Sequence, residues 1–571
     1  MEKLSEMKFP GAGQRLCAAL MVFGLATAAP LCRAFDGEAR SAGEAPVAAN
    51  PANSPLRALL ESVMLPGLKW PRFSDHRQDL KRLYQNRNDT LLWIGGGKPS
   101  QQAVAAVESL GEASDKGLLS SDYDVPLLQG WLNRLTVGGD PAANQPALFD
   151  VTLSLALMRY LSSLHGGRLS PYPAQPFDVV DIVERMAQGG DVGRMIASVE
   201  PASRDYSELQ QALMRYRKLA ADAGGAPITV TGVLRPGMRR TSVPDLRRLL
   251  HTVGDLPADA SVVGDPEIYD SQLVDAVKRF QQRHGLAADG IVGKATIAQL
   301  AIPITQRVEQ IRLGLERFRW LPNSVVGPLL LANIPSFELY AFRANGALDD
   351  PEIVMKVIVG KPKKGLRTPE FHADMKYVIF GPYWNVPTSI ARNDIVPILR
   401  RNPGYLSRQG MEIVDRFGGS AKRYPLNAGS IARLRSGTLK IRQRPGPRNA
   451  LGRVKFLFPN PYSVYMHDTP AKSLFQRALR DFSHGCIRVE DPPRLAGFVL
   501  RDQPGWSNKR IQQAMRSSKS KRVNLRAPIP VYVFYSTVLV DREGNARFFD
   551  DIYGRDAILQ RKLAKGYPYS G

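Results

Sequence analysis

The hydrophobic period of this chain changes at Pro322. Up to that point apolar residues recur at the three-to-four spacing of helices. Beyond it they alternate, as residues of a sheet do. The stretch "RVEQIRLGLERFRWLP", Arg307 to Pro322, is an amphipathic helix stopped by its proline. After it, "GPLLLANIPSFELYAFRANG", "EIVMKVIVG" and "MKYVIFGPYWNVP" read as strands joined by turns. "IPVYVFYSTVLVDREGNARFFDD" reads as a hairpin across Glu543–Gly544. A chain of 571 residues is too long for one core. The expectation is a multidomain protein, mainly α in front and mostly β behind.

Texture divides the front further. Residues 35–55 are rich in Ala, Pro and Gly and read as a flexible leader. Residues 56–231 read as a helical domain. Its clearest helix is "FDVTLSLALMRYLSSLHGGRLSP", with Leu153, Leu157, Leu161 and Leu164 on one stripe and Gly166–Gly167 as the stop. His165, at its end, reads as a capping or surface residue. Residues 232–304 form a compact module of three short helices. Val243, Leu246, Leu250 and Val253 mark one apolar face, and Leu273, Val277 and Phe280 another. A connecting helix fills 305–325. The β domain spans 326–550 and a tail 551–571. Within the β domain, 389–439 is polar, basic and punctuated by Gly and Pro, and reads as a lid inserted over the site.

The N-terminus bounds the compartment. Lys3, Lys8 and Arg15 precede the apolar run "LCAALMVFGLATAA", and small residues end at Ala34. That order is a secretory signal over 1–34, though an uncleaved membrane anchor keeps the same pattern. Neither Cys17 nor Cys32 follows a small residue as a lipoprotein cleavage site requires. Cleavage after Ala34 leaves Cys486 as the only cysteine, so no internal disulfide can form. With 77 Lys+Arg against 53 Asp+Glu, the chain carries +24. Such a field suits an acidic partner. In an exported protein a carboxylate-bearing wall polymer fits and nucleic acid does not. Excess charge that serves only solubility is the plain alternative.

Cys486 lies in "DFSHGCIRVED". Upstream, "SVYMH" alternates and places Tyr465 and His467 on one face. "AKSLFQRALRDF" reads as a short helix, and the chain returns through "SHGCIRV". A strand, a helix and a return bring His467 back beside Cys486. An imidazole there can take the thiol proton, which a free thiol of pKa about 8.5 mostly keeps at neutral pH. Gly485 lets the reacting carbonyl approach the backbone. The amides of Gly485 and Cys486 are the expected oxyanion donors. Arg488 offers a fork for a carboxylate. A lone cysteine is more often a packed apolar residue. A zinc site with His467 and His484 lacks a second thiol and H-x-x-x-H spacing, so no metal is expected.

Resemblance decides between these. "HDTP…SHGCIRV" resembles the L,D-transpeptidase signature, here His467, 15 residues, then Ser483-His484-Gly485-Cys486-Ile487-Arg488. "YWNVP", "IRQRPGPRNALGRVKFLFPNPYSVYMHDTP" and "DDIYGRD" are similar to the large periplasmic branch of that family. "AVKRFQQRHGLAADGIVGKATIAQL" is similar to a three-helix peptidoglycan-binding module. The fold implied is a helical scaffold domain, that module, and a lidded, mostly β catalytic domain. The resemblance implies Cys486 as nucleophile and His467 as general base. It gives Ser483, His484, Gly485 and Arg488 to the loop and substrate, and Tyr465 and Trp384 to the cleft wall. It implies 3→3 cross-linking of peptidoglycan stems through a thioester, acylation by carbapenems, no cofactor, and other cell-wall synthesis enzymes as further partners. Rival readings are an L,D-carboxypeptidase, a wall-protein anchoring enzyme, a non-catalytic scaffold and a zinc amidase. Oligomeric state is not readable.

Overall fold

The computed structural model describes residues 54–569 except 138–143, 223–229, 231, 258, 261 and 263. The signal segment and all but the last two residues of the leader lie outside these. The leader's last residue, Pro55, already opens a helix, Pro55–Glu61.

The scaffold is built on the helix Gln145–Gly166, which carries Pro146 in its first turn. Helices Pro55–Glu61, Gln101–Gly111, Val125–Val137 and Val179–Ala187 pack around it. The expected leucine stripe therefore becomes burial on every face: Phe149, Leu155, Met158 and Tyr160 are as covered as Leu153 and Leu157. Among the described residues only this helix is long and apolar enough to cross a membrane, and it is the core helix of the domain. His165 is not a surface residue as expected. Its ring stacks on Phe177 with centroids 4.3 Å apart, and burial lowers its pKa.

The next module has helices Val243–Thr252, Ser271–Arg283 and Lys294–Leu300 around Leu246, Leu250, Leu273, Val277 and Phe280. Its spaced motif is a set of internal ties. The Gln281 amide donates to Asp289 Oδ1 (2.9 Å), the Ile291 carbonyl (2.9 Å) and Thr296 Oγ1 (3.1 Å). Its oxygen accepts from the Gly290 N–H at 2.9 Å.

Helix Ile304–Phe318 leads into a closed eight-stranded barrel. Its strands are β1 Val325–Asn333, β2 Glu338–Gly346, β3 Ile353–Ile358, β4 Phe371–Phe380, β5 Val454–Leu457, β6 Met466–His467, β7 Ile487–Val489 and β8 Lys521–Phe534. Spatial order is β5-β6-β7-β3-β2-β1-β8-β4, closed by β4 on β5. The β6–β7 and β8–β1 pairs are parallel and the others antiparallel. Inward residues such as Leu339, Val357, Val378, Met466 and Ile487 fill the interior.

The structure adds to one sequence expectation and overturns another. The segment 389–439, read as a polar, Gly- and Pro-punctuated insertion, carries two short strands, Met411–Val414 and Arg423–Tyr424. Between β4 and β5 the chain forms a lid with a four-stranded sheet, Trp384–Asn385, Met411–Val414, Arg423–Tyr424 and Lys440–Gln443. The lid has its own core, which includes Ile395, Leu399, Ile413, Leu434 and Ile441. "AKSLFQRALRDF" does not form the expected helix. Only a 3₁₀ turn, Lys472–Gln476, survives. Arg480 is buried and donates to the carbonyls of Arg477 (2.8 Å) and Phe337 (3.1 Å). The chain then runs beside Val359–Lys361, with Ser483 N–H on the Val359 carbonyl at 2.8 Å. Tertiary pairing overrides the local pattern.

The expected tail is also structured. Helix Arg555–Leu563 follows the barrel, and Tyr567 reaches the scaffold, where its hydroxyl lies 2.5 Å from Ser163 Oγ.

Candidate active site

Strand register assembles the site. Met466 pairs with Ile487 and His467 with Arg488, in parallel. Met466 and Ile487 point inward, so their neighbours Tyr465, His467, Cys486 and Arg488 share the outer face. On the other side of β6, Lys455 of β5 pairs with His467. Lys455, His467 and Arg488 thus form a row across three strands. Cys486 and Tyr465 stand in the next row, with His467 the diagonal neighbour of the thiol. The Ile487 N–H donates to the Tyr465 carbonyl at 3.1 Å.

His467 is buried, and its Nδ1–H donates to the Asp468 carbonyl at 2.5 Å. This fixes the tautomer and leaves the Nε2 lone pair as the acceptor. Burial, then the Arg488 charge, push its pKa down to about 3, with a smaller push from Lys455; the bond to the Asp468 carbonyl opposes them. The Asp468 side chain is occupied elsewhere: it accepts from Arg453 N–H (2.8 Å) and Thr469 N–H (2.7 Å) and pairs with Lys472 (3.0 Å).

Cys486 is half-buried, and Sγ lies 3.9 Å from the Ser463 carbonyl. Burial raises its thiol pKa. Hydrogen bonds from Tyr465 and the charges of Lys455 and Arg488 act the other way and do not overcome it. Both partners are therefore neutral at rest: a thiol beside a free imidazole, not a preformed ion pair.

The loop before Cys486 is clamped from inside. Ser483 Oγ donates to the Cys486 carbonyl (2.6 Å) and accepts the Gly485 N–H (3.0 Å). That second bond corrects the sequence expectation. The Gly485 amide is occupied and is not a free oxyanion donor, whereas the Cys486 amide has no partner among the described residues. The Gly485 carbonyl accepts from Thr368 Oγ1 at 2.9 Å. In a trans peptide N–H and C=O point oppositely, so this bond aims the Cys486 N–H away from the barrel and toward the reacting face. Gly485 has φ +115, which only glycine adopts easily. Gly360, under the loop, admits no side chain: a Cβ would sit 2.0 Å from the Leu366 carbonyl oxygen.

Three family profiles match this chain. They are an L,D-transpeptidase catalytic domain over residues 327–522, a scaffold domain over 78–213 and a "Putative peptidoglycan binding domain" over 239–300. The barrel is an L,D-transpeptidase catalytic domain. The chain is 29% identical over 296 residues to a "Putative L,D-transpeptidase" of Haemophilus influenzae, covering 51% of this chain and 56% of that protein. It thus spans about half the length of that relative. A 74-residue stretch is 40% identical to the "N-acetylmuramoyl-L-alanine amidase CwlM" of Mycobacterium tuberculosis, covering 12% of this chain and 18% of that one. A crystal structure of the L,D-transpeptidase of Xylanimonas cellulosilytica aligns at 15% identity over 53% of this chain and 98% of that one. Its TM-score of 0.16 is too low to bear on the fold.

Within the L,D-transpeptidase domain the remaining expected residues separate. His484 is exposed, and its Nε2 lies 3.2 Å from Asp394 Oδ2 of the lid. Trp384 sits on a lid strand opposite Gln443 and packs partly against the lid's core. Sequence reasoning missed Lys455, whose ammonium lies 5.4 Å from the Tyr465 ring centroid. The alternation in "RVKFLF" could have found it, since Val454 and Phe456 face inward. It also missed Thr368 and Tyr553. The Tyr553 hydroxyl accepts the Thr368 N–H (3.2 Å) and donates to the Gly360 carbonyl (2.5 Å). A cleft of about 1070 Å³ opens where scaffold, module and barrel meet, but none of its lining residues belongs to the Cys486 site. Among the described residues no His, Cys, Asp or Glu cluster could hold a metal.

Proposed function

We propose that this protein is a periplasmic L,D-transpeptidase that forms 3→3 cross-links between peptidoglycan stems. The observation that carries the reading is the placement of Cys486 diagonal to a neutral His467 whose Nδ1–H is committed to the Asp468 carbonyl. Cys486 Sγ attacks the carbonyl between the third, diamino acid residue and the fourth, D-Ala. As the S–C bond forms, the thiol proton passes to His467 Nε2. The oxyanion is met by the Cys486 amide. The C–N bond breaks, His467 returns the proton to the leaving D-Ala amine, and a thioester remains. The side-chain amine of a second stem attacks the thioester and loses its proton to His467, which reprotonates the thiol. Each bond broken is matched by one formed, so the exchange needs no external energy source and no cofactor.

Export fits the N-terminal signal pattern, and the net charge of +24 fits an anionic wall polymer. The three-helix module at 239–300 would hold the enzyme on the sacculus and raise local substrate concentration. Other wall-synthesis enzymes are partners this reading allows.

Two measurements test it. Intact-protein mass after incubation with a carbapenem should show one adduct on the wild type and none on Cys486→Ala. Purified enzyme given tetrapeptide muropeptides should yield 3→3 dimers. Tripeptide alone would make water the acceptor and the enzyme an L,D-carboxypeptidase. Transfer only to a protein lysine would make it an anchoring enzyme.

A further inference from the structure

Lys455 and Arg488 flank His467 on the outer face, one strand away on either side. Both are half-buried. Among the described residues neither has a carboxylate partner, and Arg488 Nε is buried with no acceptor. Other buried or half-buried arginines of the barrel and lid have partners: Arg480 donates to backbone carbonyls and Arg367 to the Tyr553 carbonyl. Arg442 pairs with Glu412, Arg547 with Glu338, Arg343 with Asp502 and Arg555 with Glu370. Two acids close to them in sequence accept bonds from elsewhere: Asp468 as described, and Glu490 from the Lys356 N–H at 3.2 Å. Burial lowers the pKa of both cations, and the only opposing charge on either is Cys486. Cations held out of water without anions are costly and favour the arrival of one. Cys486, a neutral thiol at rest, does not balance them.

We propose that Lys455 and Arg488 form a carboxylate subsite that takes the C-terminal carboxylate of the acyl donor, on the residue that leaves. The inference rests on the transpeptidase reading above for the identity of the donor. The reach fits. One residue of extended peptide spans roughly 3.5 Å, and Cys486 and Arg488 stand two residues apart on one strand, roughly 6.6 Å. A carboxylate one residue beyond the attacked carbonyl therefore falls under the two long side chains. Anchoring it there would set the scissile carbonyl over Sγ. It would also favour donors that end one residue past the reacting bond. In the free enzyme the same two charges add to burial in keeping His467 unprotonated.

The test separates this subsite from the overall reaction. Alkylation of Cys486 in the full chain is followed by peptide mass mapping, with anionic iodoacetate and neutral iodoacetamide at one pH. The ratio of the two rates cancels the thiolate fraction. In the wild type that ratio should exceed the ratio for free cysteine about tenfold. Lys455→Met should remove most of the excess, Lys455→Arg should keep it, and Lys455→Met with Arg488→Met should abolish it. A wild-type ratio equal to that of free cysteine, or equal slowing of both reagents by Lys455→Met, would overturn the proposal. Turnover is then compared for a tetrapeptide donor and its C-terminal amide. The amide should be the poorer donor for the wild type, and the two should converge for Lys455→Met. Equal turnover of acid and amide by the wild type would overturn it as well. Failure of both donors in the wild type counts against the transpeptidase reading, and the alkylation ratio still decides the subsite.

Discussion

A neutral thiol beside a neutral imidazole dictates how the reaction begins. His467, held near pKa 3 by burial and the Arg488 charge, stays a free base across the working range. The acid limb of carbapenem acylation is thus expected below about pH 4 and not near the ordinary imidazole value of 6.5. A limb near 6.5 in a stopped-flow profile would contradict this. His467→Gln keeps a polar side chain of similar reach but removes the base, and should slow acylation about 10²- to 10⁴-fold. The same residue sets a stability window. Between about pH 3 and pH 6.5 the unfolded chain binds a proton at this imidazole and the folded chain does not. Its contribution is therefore complete above 6.5 and is lost on acidification through that window. The slope is at most about 1.4 kcal/mol per pH unit. Urea unfolding at about pH 4 and about pH 7 should show a smaller difference for His467→Gln than for wild type. Cys486 and His467 were legible in the sequence because "HDTP…SHGCIRV" resembles a known signature; alternation by itself placed only Tyr465 and His467 on one face. Lys455 was only half legible: alternation in "RVKFLF" turns it outward, but its place beside His467 comes from strand pairing, which no local pattern announces.

At the scale of elements, the nucleophile sits on a short loop whose shape is enforced from below. Thr368 fixes the Gly485 carbonyl, and Tyr553 fixes Thr368 and Gly360. If the Thr368 hydroxyl aims the Cys486 amide, its loss should act on the tetrahedral state more than on binding. Thr368→Val should lower the acylation rate about 10- to 100-fold with little change in donor KM, and Thr368→Ser should restore it. A matching rise in KM would assign Thr368 a merely structural role. Tyr553 lies in "DDIYGRD", which was noticed as a family stretch without a job; the fold supplies the job. The lid shows the opposite limit of legibility. Its position between β4 and β5 could be read from composition. Its sheet could not, because its strands run two to four residues and its apolar residues are scattered among Gly, Pro and Arg. Ile441 lies fully buried in the lid's separate core. Ile441→Ala should cost about 2–5 kcal/mol there. Hydrogen exchange should quicken across 384–443 and remain unchanged in β1–β3. Uniform quickening through the barrel would show that the lid has no stability of its own.

Over the whole molecule, the domains are fastened by buried polar contacts and by the chain's last residues. Glu316 of the connecting helix is fully buried; it accepts from Arg168 Nε of the scaffold (3.0 Å) and from Trp320 Nε1 (3.2 Å). Arg283 of the three-helix module pairs with Asp255 at 2.6 Å and donates to the Ala546 carbonyl of the barrel at 2.7 Å. The closing fastener is the segment read from sequence as a tail. Tyr567 touches Ser163 and Tyr123 of the scaffold, with the Arg159 guanidinium 4.8 Å from its ring centroid. Gly566 lies against Trp70, where a Cβ would come within 2.2 Å. Nothing in "KGYPYSG" marks it as an anchor, because its partners are hundreds of residues away in sequence. Tyr567→Ala removes a ring, a hydroxyl contact and a cation–π face at once. It should cost about 2–4 kcal/mol. That loss should appear in the scaffold's packing rather than in the barrel. Limited proteolysis should open the scaffold around Trp70 and Tyr123 faster than in wild type. The rate of Cys486 alkylation by iodoacetamide should stay within about twofold of wild type, since the nucleophile loop rests on Thr368 and Tyr553. A parallel loss of Cys486 reactivity would mean instead that the C-terminal anchor carries strain or order through helix Arg555–Leu563 into the catalytic loop.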